Sequence, residues 1–262
     1  MSHSGEADLQ RRFGGIDRLY GRDSLARLAS AHVCVVGIGG VGSWAVEALA
    51  RSGVGRLTLI DLDHVAESNI NRQVQALSET LGQAKVLAMK ARVAAINPDC
   101  VVTTIEDFVT PENAATVLPA CDAVIDAIDQ VKAKAALIAH CRRARIAIVT
   151  AGGAGGRTDP SRLKVDDLAR TTQDALASKV RALLRKEYGF TREPKKKFGV
   201  PCVYSDEPIQ RPGRPGGGEA CDIDEYEAGL HGLNCAGYGS TVCVTAAFGL
   251  AAAARVLGIL LE

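Results

Sequence analysis

Aromatic side chains are scarce here: they supply 4% of 262 residues, and tryptophan occurs once. A core without many bulky rings has to be assembled from Ala, Val, Leu and Ile, a palette that suits helices packed on a buried parallel sheet. Net charge is almost absent at +1. No global field therefore draws the chain to nucleic acid or a membrane, and any basic surface must be local. The eight cysteines (Cys34, Cys100, Cys121, Cys141, Cys202, Cys221, Cys235 and Cys243) contain no C-x-x-C pair. That spacing argues against a zinc ribbon, and no zinc is expected. Several of them sit in apolar runs and read as buried thiols. Met1–Asp8 is polar and lacks the apolar stretch of a secretory leader, so the reducing cytoplasm is the expected compartment. One long apolar run stands out, 241–261, interrupted by Arg255. It is just long enough to span a bilayer, which makes membrane association through this segment the alternative localisation. Its Ala and Gly content, its arginine and the lack of a basic flank favour a helix buried in the protein or at a dimer interface.

What is present is a regular alternation. Up to about residue 30 the chain reads as a helical arm, with Phe13, Ile16, Leu19 and Tyr20 at helical spacing. Strands are expected at 33–36, 57–60, 101–105, 123–127 and 146–150, and helices at 41–52, 84–96, from Pro111, and at 132–145. Such alternation predicts an α/β fold: a doubly wound, Rossmann-like, mostly parallel sheet with helices on both faces. A C-terminal extension follows, with strands near 163–168 and 200–204, helices at 175–188 and 241–261, and a glycine hinge or turn at 152–156. Residues 206–220, rich in Pro, Gly and Arg, read as a mobile loop. The expected organisation is a single domain, 1–262, divided into an arm (1–30), a core (31–155) and a C-terminal region (156–262).

The segment Val33-Cys34-Val35-Val36-Gly37-Ile38-Gly39-Gly40-Val41-Gly42 is a buried strand breaking into a glycine turn that opens a helix. Backbone N–H groups at such a turn, with the positive end of the helix behind them, suit a phosphate. Gly37, Gly39 and Gly42 fit G-x-G-x-x-G, and Asp61 follows about 20 residues on, where a ribose hydroxyl is gripped. Alone, this points to a nucleotide, with a bias towards NAD. The next loop changes the reading. It brings Asp63, Asn69, Arg72 and Gln73, then Lys85 at the start of a helix, while strand four ends in Asp126-Ala127-Ile128-Asp129. The C-terminal ends of strands one, two and four flank one crevice in a doubly wound sheet. A glycine turn, two cations and a carboxylate therefore converge. A pyrophosphate joining two riboses does not require that set, whereas a triphosphate under attack requires cations on its oxygens and a metal held by a carboxylate. An NAD-dependent oxidoreductase and a nucleotide-sensing scaffold remain as rivals.

In order, Gly37-Ile38-Gly39-Gly40-Val41-Gly42, Asp61-x-Asp63, Ser68-Asn69-Ile70-Asn71-Arg72-Gln73, Lys85 and Asp126-x-x-Asp129 resemble the ubiquitin-activating-enzyme-like adenylating enzymes, the superfamily of ThiF and MoeB. The match covers roughly residues 10–155. The resemblance implies an ATP-dependent enzyme that joins a carboxylate to AMP and releases pyrophosphate. It implies Asp61 on the ribose, Arg72 and Lys85 on the phosphates, and Asp129 on Mg²⁺. It further implies a homodimer in which Arg12 or Arg18 reaches the partner's ATP. Two departures matter. Many relatives carry paired C-x-x-C motifs for zinc, which this chain lacks, and where they have Thr-Asp-Asn followed by Arg, this chain has Ile128-Asp129-Gln130 followed by Lys134.

Other segments are similar to one branch, the tRNA threonylcarbamoyladenosine dehydratases. These are Arg12-Phe13-Gly14-Gly15-Ile16-x-Arg18-Leu19-Tyr20-Gly21, Thr150-Ala151-Gly152-Gly153-Ala154-Gly155-Gly156, Asp159-Pro160, Asp166-Asp167-Leu168-Ala169, Gln173-Asp174 and Val200-x-Cys202-Val203-Tyr204-Ser205. That branch implies a tRNA acceptor beside the anticodon, with 156–262 on the acceptor side. ATP would activate the threonine carboxylate, an internal nucleophile would close a ring, and AMP would leave. Arg72, Lys85 and Asp129 are then the catalytic candidates, and Gly37, Gly39, Gly40, Gly42, Asp61, Asp63, Asn69 and Gln73 complete the nucleotide site. The alternative is an activator of a ubiquitin-like sulfur carrier, which would bring in a cysteine-desulfurase or sulfur-acceptor system and a covalent role for Cys202 or Cys235. Lys195-Lys196-Lys197 with Arg192, and Arg142, Arg143 and Arg145, are candidate RNA contacts.

Overall fold

The computed structural model describes residues 8–210 and 238–262. The arm is three short helices rather than one: α1 (Leu9–Phe13), α2 (Gly15–Tyr20) and α3 (Ser24–Ser30). Gly14 and Gly21 separate them, and a side chain at Gly21 is disfavoured by φ +103°.

β1 (His32–Val36) leads through the glycine turn into α4 (Gly42–Arg51), β2 (Arg56–Ile60), α5 (Lys85–Ile96) and β3 (Val101–Ile105). α6 (Ala114–Val117), β4 (Ala123–Asp126), α7 (Val131–Ala144) and β5 (Ala147–Ala151) follow. Then come β6 (Leu163–Asp167), α8 (Ala175–Glu187), β7 (Pro201–Ser205) and α9 (Val242–Leu261). Pro111 does not open α6. Residues 111–113 form a turn in which Asn113 Oδ1 accepts the Thr110 N–H at 2.7 Å, so the helix starts after it.

Among the described residues the strands form one sheet, ordered β3-β2-β1-β4-β5-β7-β6. Every pairing is parallel except β6 with β7, which is antiparallel at the edge. Central strands buried on both faces explain the near-continuous apolar runs of β1, β2 and β4. On one face Leu49, Met89, Phe248 and Val256, from α4, α5 and α9, pack over Val35 and Leu57. On the other, Leu137, Ile138, Val180 and Leu184, from α7 and α8, pack over Cys34 and Val124.

α9 is long and apolar enough to cross a membrane, with 44% of its most apolar window buried. Val244, Phe248, Gly249, Ala252, Ala253 and Val256 form its inward stripe. A Cβ at Gly249 would overlap the Val41 carbonyl oxygen, so glycine permits the close crossing over α4. The loop expected at 206–220 lies mostly outside the described residues. Its first part, 206–210, is held against 156–159: Gln210 N–H donates to Gly156 O at 2.8 Å, and Glu207 accepts from the N–H of Asp159 at 3.0 Å.

Candidate nucleotide-binding and catalytic site

The strand order turns back between β1 and β4, and the crevice beyond their C-terminal ends is where an open α/β sheet binds ligand. The structure has an open cleft of about 340 Å³ there. The glycine turn forms its floor. Gly37 has φ +86°, and a Cβ on it would stand 2.9 Å from the Ala127 carbonyl oxygen. A Cβ on Gly39 would meet nothing within 4 Å, so its absence leaves room on the ligand side. Gly42 does not line the cleft; a Cβ there would overlap the Gly37 carbonyl oxygen, and its part is to let α4 approach the turn.

Asp61, 9% exposed, stands at the end of β2 and ties the turn to the next loop. Its Oδ2 accepts the Ile38 N–H at 2.6 Å and its Oδ1 the Asp63 N–H at 2.9 Å. Burial pushes this carboxyl up, and Lys85 and the two N–H groups offset only part of the rise. Lys85 is itself buried and donates Nζ to Asp63 Oδ2 at 2.7 Å. Arg72 packs its Cγ and Cδ over Gly40, each about 3.2–3.3 Å from where a Cβ would be. Its Nη1 donates to Ser68 O at 2.7 Å and to Asn71 Oδ1 at 3.0 Å, and Trp44 Nε1 holds the Arg72 carbonyl at 3.0 Å. Asn69 and Gln73 are buried alongside, Asn69 Oδ1 accepting the Ala66 N–H at 3.1 Å.

Asp126 and Asp129 divide the labour at the end of β4. Asp126 is fully buried and structural: it accepts the Thr150 hydroxyl at 2.7 Å and the Ile128 N–H at 3.1 Å, and pairs with Lys134 Nζ at 3.0 Å. Lys134, 1% exposed, also donates to Ile128 O at 2.9 Å. The peptide leading into Asp129 is thus clamped from below, and Asp129 faces the cleft. Burial pushes the Asp129 carboxyl up and the nearby Asp63 charge adds to it, while its own N–H, Lys134 and Lys85 act against the rise.

Of the residues expected from sequence, Gly37, Gly39, Gly40, Asp61, Asp63, Asn69, Arg72, Gln73, Lys85 and Asp129 all line this one cleft. Arg12 and Arg18 do not. Arg12 Nη1 donates to Ile96 O at 2.7 Å, at the end of the sheet away from the cleft, and Arg18 is exposed on α2. Within its own chain neither arginine reaches the site. Cys202 lies in the core at 0% exposure, burial pushes its thiol far up, and no cysteine lines the cleft among the described residues. A buried thiol held protonated is not a nucleophile. Cys235 lies outside the described residues.

Sequence reasoning missed Asp107, Phe108 and Val109 after β3, Ser240 just before α9 and Thr245 in its first turn, which complete the walls. Phe108, 44% exposed, follows a strand whose C-terminal end faces the crevice, and that topology was the available signal. The 152–156 segment forms a turn: Gly152 N–H donates to Val203 O at 2.8 Å and Gly153 N–H to Asp174 Oδ2 at 3.0 Å. The basic residues gather elsewhere. Arg142 sits against Gly199, which follows the exposed Lys195–Lys197 in the chain, at the end of the sheet opposite the cleft; Arg192 is also exposed.

No three His, Cys, Asp or Glu gather into a protein-only metal cage among the described residues. Mg²⁺ does not need one: it takes one or two carboxylates, waters and substrate phosphates. Asp129, with Asp63 close by, fits that donor set. A glycine turn, two cations and such a carboxylate around one crevice are the requirements for binding and attacking a nucleoside triphosphate.

The ThiF family profile matches residues 13–262. The chain belongs to the ThiF family. A tRNA threonylcarbamoyladenosine dehydratase of Haemophilus influenzae is 51% identical over 255 residues, covering 97% of this chain and 94% of that protein. The crystal structure of the Escherichia coli tRNA N6-threonylcarbamoyladenosine dehydratase TcdA in complex with ATP superposes with a TM-score of 0.84 at 46% identity, covering 97% of this chain and 96% of that one. A molybdopterin-synthase adenylyltransferase of Haemophilus influenzae is 34% identical, but over 128 residues, 49% of this chain and 53% of that protein.

Proposed function

We propose that this ThiF-family protein is a tRNA threonylcarbamoyladenosine dehydratase. It activates the threonine carboxylate of the modified nucleoside beside the anticodon with ATP and promotes ring closure, releasing AMP and pyrophosphate. The observation that carries this reading is the convergence of the glycine turn, Arg72, Lys85 and Asp129 on one cleft, in a chain that matches the dehydratases almost end to end and the carrier-protein activators over half its length.

A carboxylate is a poor electrophile because its leaving group would be oxide. Attack of a carboxylate oxygen on the α-phosphorus of ATP breaks the bond to pyrophosphate and gives an acyl-adenylate. A nucleophilic atom of the same arm then attacks the acyl carbon, loses its proton and expels AMP, so one water equivalent is removed from the nucleoside. The protein has to hold the carboxylate in line and stabilise charge that builds on the phosphate oxygens. Gly39 lets the triphosphate approach the backbone, and Gly40 makes room for the Arg72 side chain. Asp61 takes a ribose hydroxyl, Phe108 offers its ring to the base, and Arg72 and Lys85 meet the phosphates. Asp129, with Asp63 near it, would hold Mg²⁺, which supplies charge neutralisation on the transferring phosphate when bound. Ring closure within the substrate needs no enzyme thiol, in keeping with the buried Cys202.

The same reading places the protein in the cytoplasm, where tRNA and ATP meet, and as a homodimer. Leu77, Leu81, Leu87, Val242 and Leu250 are exposed apolar residues around the 62–87 connection and α9, a surface a second copy would cover. Arg12 or Arg18 would then act on the partner's nucleotide. The exposed basic cluster at Arg142, Arg192 and Lys195–Lys197 is suited to the tRNA body, away from the cleft. Incubation with ATP, Mg²⁺ and bulk tRNA, followed by mass analysis of nucleosides, tests the reading. The threonine-bearing adenosine should lose the mass of one water while AMP and pyrophosphate accumulate. Unchanged tRNA, with pyrophosphate exchange seen with a sulfur-carrier protein ending in Gly-Gly, would overturn it and bring the sulfur-acceptor partners back.

A further inference from the structure

Across the Gly152–Gly156 turn the nucleotide cleft has a small neighbour. This second pocket, about 100 Å³, is lined by Gly153, Gly155, Arg157, Lys179 and the first residues of α8, Ala175 and Leu176. Gly155 borders both spaces.

Arg157 is 2% exposed, yet its Nε and Nη1 have no hydrogen-bond partner among the described residues. Its Nη2 donates to Gln173 O at 2.9 Å and stands 3.6 Å from Asp174 Oδ2. Asp174 is shared with other donors: its Oδ1 accepts the Ala177 N–H at 2.8 Å as the cap of α8, and its Oδ2 accepts the Gly153 N–H at 3.0 Å. The other nearby carboxylate, Glu207, is taken up by the N–H groups of Thr158 and Asp159. A buried guanidinium with two unpaired nitrogens is expensive to leave unmatched; those nitrogens are themselves enclosed, so meeting a ligand takes a shift of the side chain into the pocket it lines.

The pocket also lies at the N-terminus of α8, a helix of 13 residues. Because Asp174 caps Ala177, the N–H groups of Ala175 and Leu176 have no acceptor among the described residues. Both residues are on the pocket wall, and the exposed Lys179 adds an ammonium one turn on. The ionic lining is Arg157 and Lys179 against Asp174, a net positive site. Guanidinium, helix N-terminus and ammonium together match an oxyanion with several acceptor oxygens.

We propose that this pocket binds one backbone phosphate of the RNA strand next to the nucleotide whose side arm enters the cleft. The inference rests on the tRNA reading above. A phosphate fits better than the reacting carboxylate, because that carboxylate must stay in line with the α-phosphate on the other side of the Gly155 wall.

Equilibrium binding of the full chain to tRNA tests it, with and without the threonylcarbamoyl arm, between about 50 and 200 mM salt. Arg157→Gln should weaken both tRNAs equally, by about ten- to a hundredfold. The slope of log affinity against log salt should shrink by about one, and the KM for ATP should stay put. Lys179→Ala, at an exposed position, should act in the same direction and carries the test if Arg157→Gln fails to fold. A loss confined to arm-bearing tRNA makes this a carboxylate site and overturns the proposal, as does a raised KM for ATP with tRNA binding intact, or no change in either variant. If the wild type binds no tRNA, the functional reading fails first. The pocket is then decided by inorganic phosphate alone: ³¹P line broadening abolished by Arg157→Gln supports an oxyanion site, and none with the wild type refutes it.

Discussion

Replacing Lys134 by methionine should be among the most damaging single changes outside the cleft. The side chain is 1% exposed, its Nζ is 3.0 Å from the fully buried Asp126 Oδ2, and it donates to Ile128 O at 2.9 Å. Methionine fills nearly the same volume, so no large cavity opens. What changes is charge. Asp126 keeps the Thr150 hydroxyl and the Ile128 N–H but loses its counter-ion, and removing one member of a buried pair costs about 3–5 kcal/mol. For a chain of this size that lowers Tm by roughly 6–20 °C. Urea unfolding at pH 7, compared at equal m, measures it. The double variant Lys134→Met/Asp126→Asn removes the stranded charge while preserving an acceptor for the Ile128 N–H, and should recover more than half the loss. A positioning role predicts one further effect. With Ile128 untethered, Asp129 is no longer fixed over the cleft, so turnover falls even where the protein is folded, and Asp126→Asn does not restore it. A cost below about 1 kcal/mol for Lys134→Met, or a double variant less stable than the single, would refute the buried-pair account.

Arg72→Ala and Asp129→Ala should each lower kcat by about 10²–10³-fold with the fold intact by circular dichroism, the usual loss for one group that stabilises developing charge; near-normal turnover removes the residue from the mechanism. Cys202→Ala should keep its turnover, and a folded variant without activity would reveal a covalent step. Burial alone would push the Glu47 carboxyl up, but Arg92 and Arg51, at 2.6 and 2.8 Å, hold it below the ordinary value. Its contribution to stability is therefore present above the unfolded value and lost as pH falls through the folded one, so the gap between wild type and Glu47→Gln in urea should close on acidification; a gap that widens would invert the assignment. Asp129 runs the other way. Burial raises its folded value, so the folded state keeps this proton longer and the ionised group opposes folding as pH rises through that value. Below it the proton competes with the metal, and the Mg²⁺ concentration needed for half-maximal AMP release should rise on acidification, a dependence that Asp129→Asn should abolish.

The sheet was legible because its central strands are buried on both faces. Runs such as Val33–Val36 and Leu57–Ile60 are apolar without alternation, and each is followed by a helix, which leaves little besides a parallel doubly wound sheet. The cleft was legible for a related reason. Once Gly37, Asp61 and Asp129 are assigned to the ends of β1, β2 and β4, the topology brings them together, and the order β3-β2-β1-β4 does so. Boundaries failed where side-chain hydrogen bonds competed with propensity. Pro111 looks like the first residue of a helix, but Asn113 and Thr110 bond each other's backbone and delay it to Ala114. The walls given by Phe108 and Thr245 come from segments with no motif of their own, and only tertiary packing places them.

The support beneath the cleft was the least legible part, and its chemistry explains why. Asp126, Thr150 and Lys134 read in sequence as a strand-end acid, a strand threonine and a helical lysine, three ordinary surface types. Burial turns them into a closed polar cluster beneath the Asp129 loop. The resemblance to ThiF and MoeB leads one to expect an arginine where Lys134 stands, so the sequence shows a departure from a pattern without showing its consequence. The consequence is geometric: the ammonium donates to Asp126 O and Ile128 O and is ion-paired with Asp126 Oδ2 at 3.0 Å. All three acceptors lie in the segment that leads into Asp129, and Lys134 does not line the cleft. Arg72 and Lys85, which line the cleft, are the cations proposed to meet the nucleotide's charge, while Lys134 would fix the carboxylate that would hold Mg²⁺. A Lys134→Arg variant tests that division: its planar fork cannot reproduce the three separate directions of an ammonium, so turnover should drop while the KM for ATP holds, and a rise in that KM alone would return Lys134 to the phosphates.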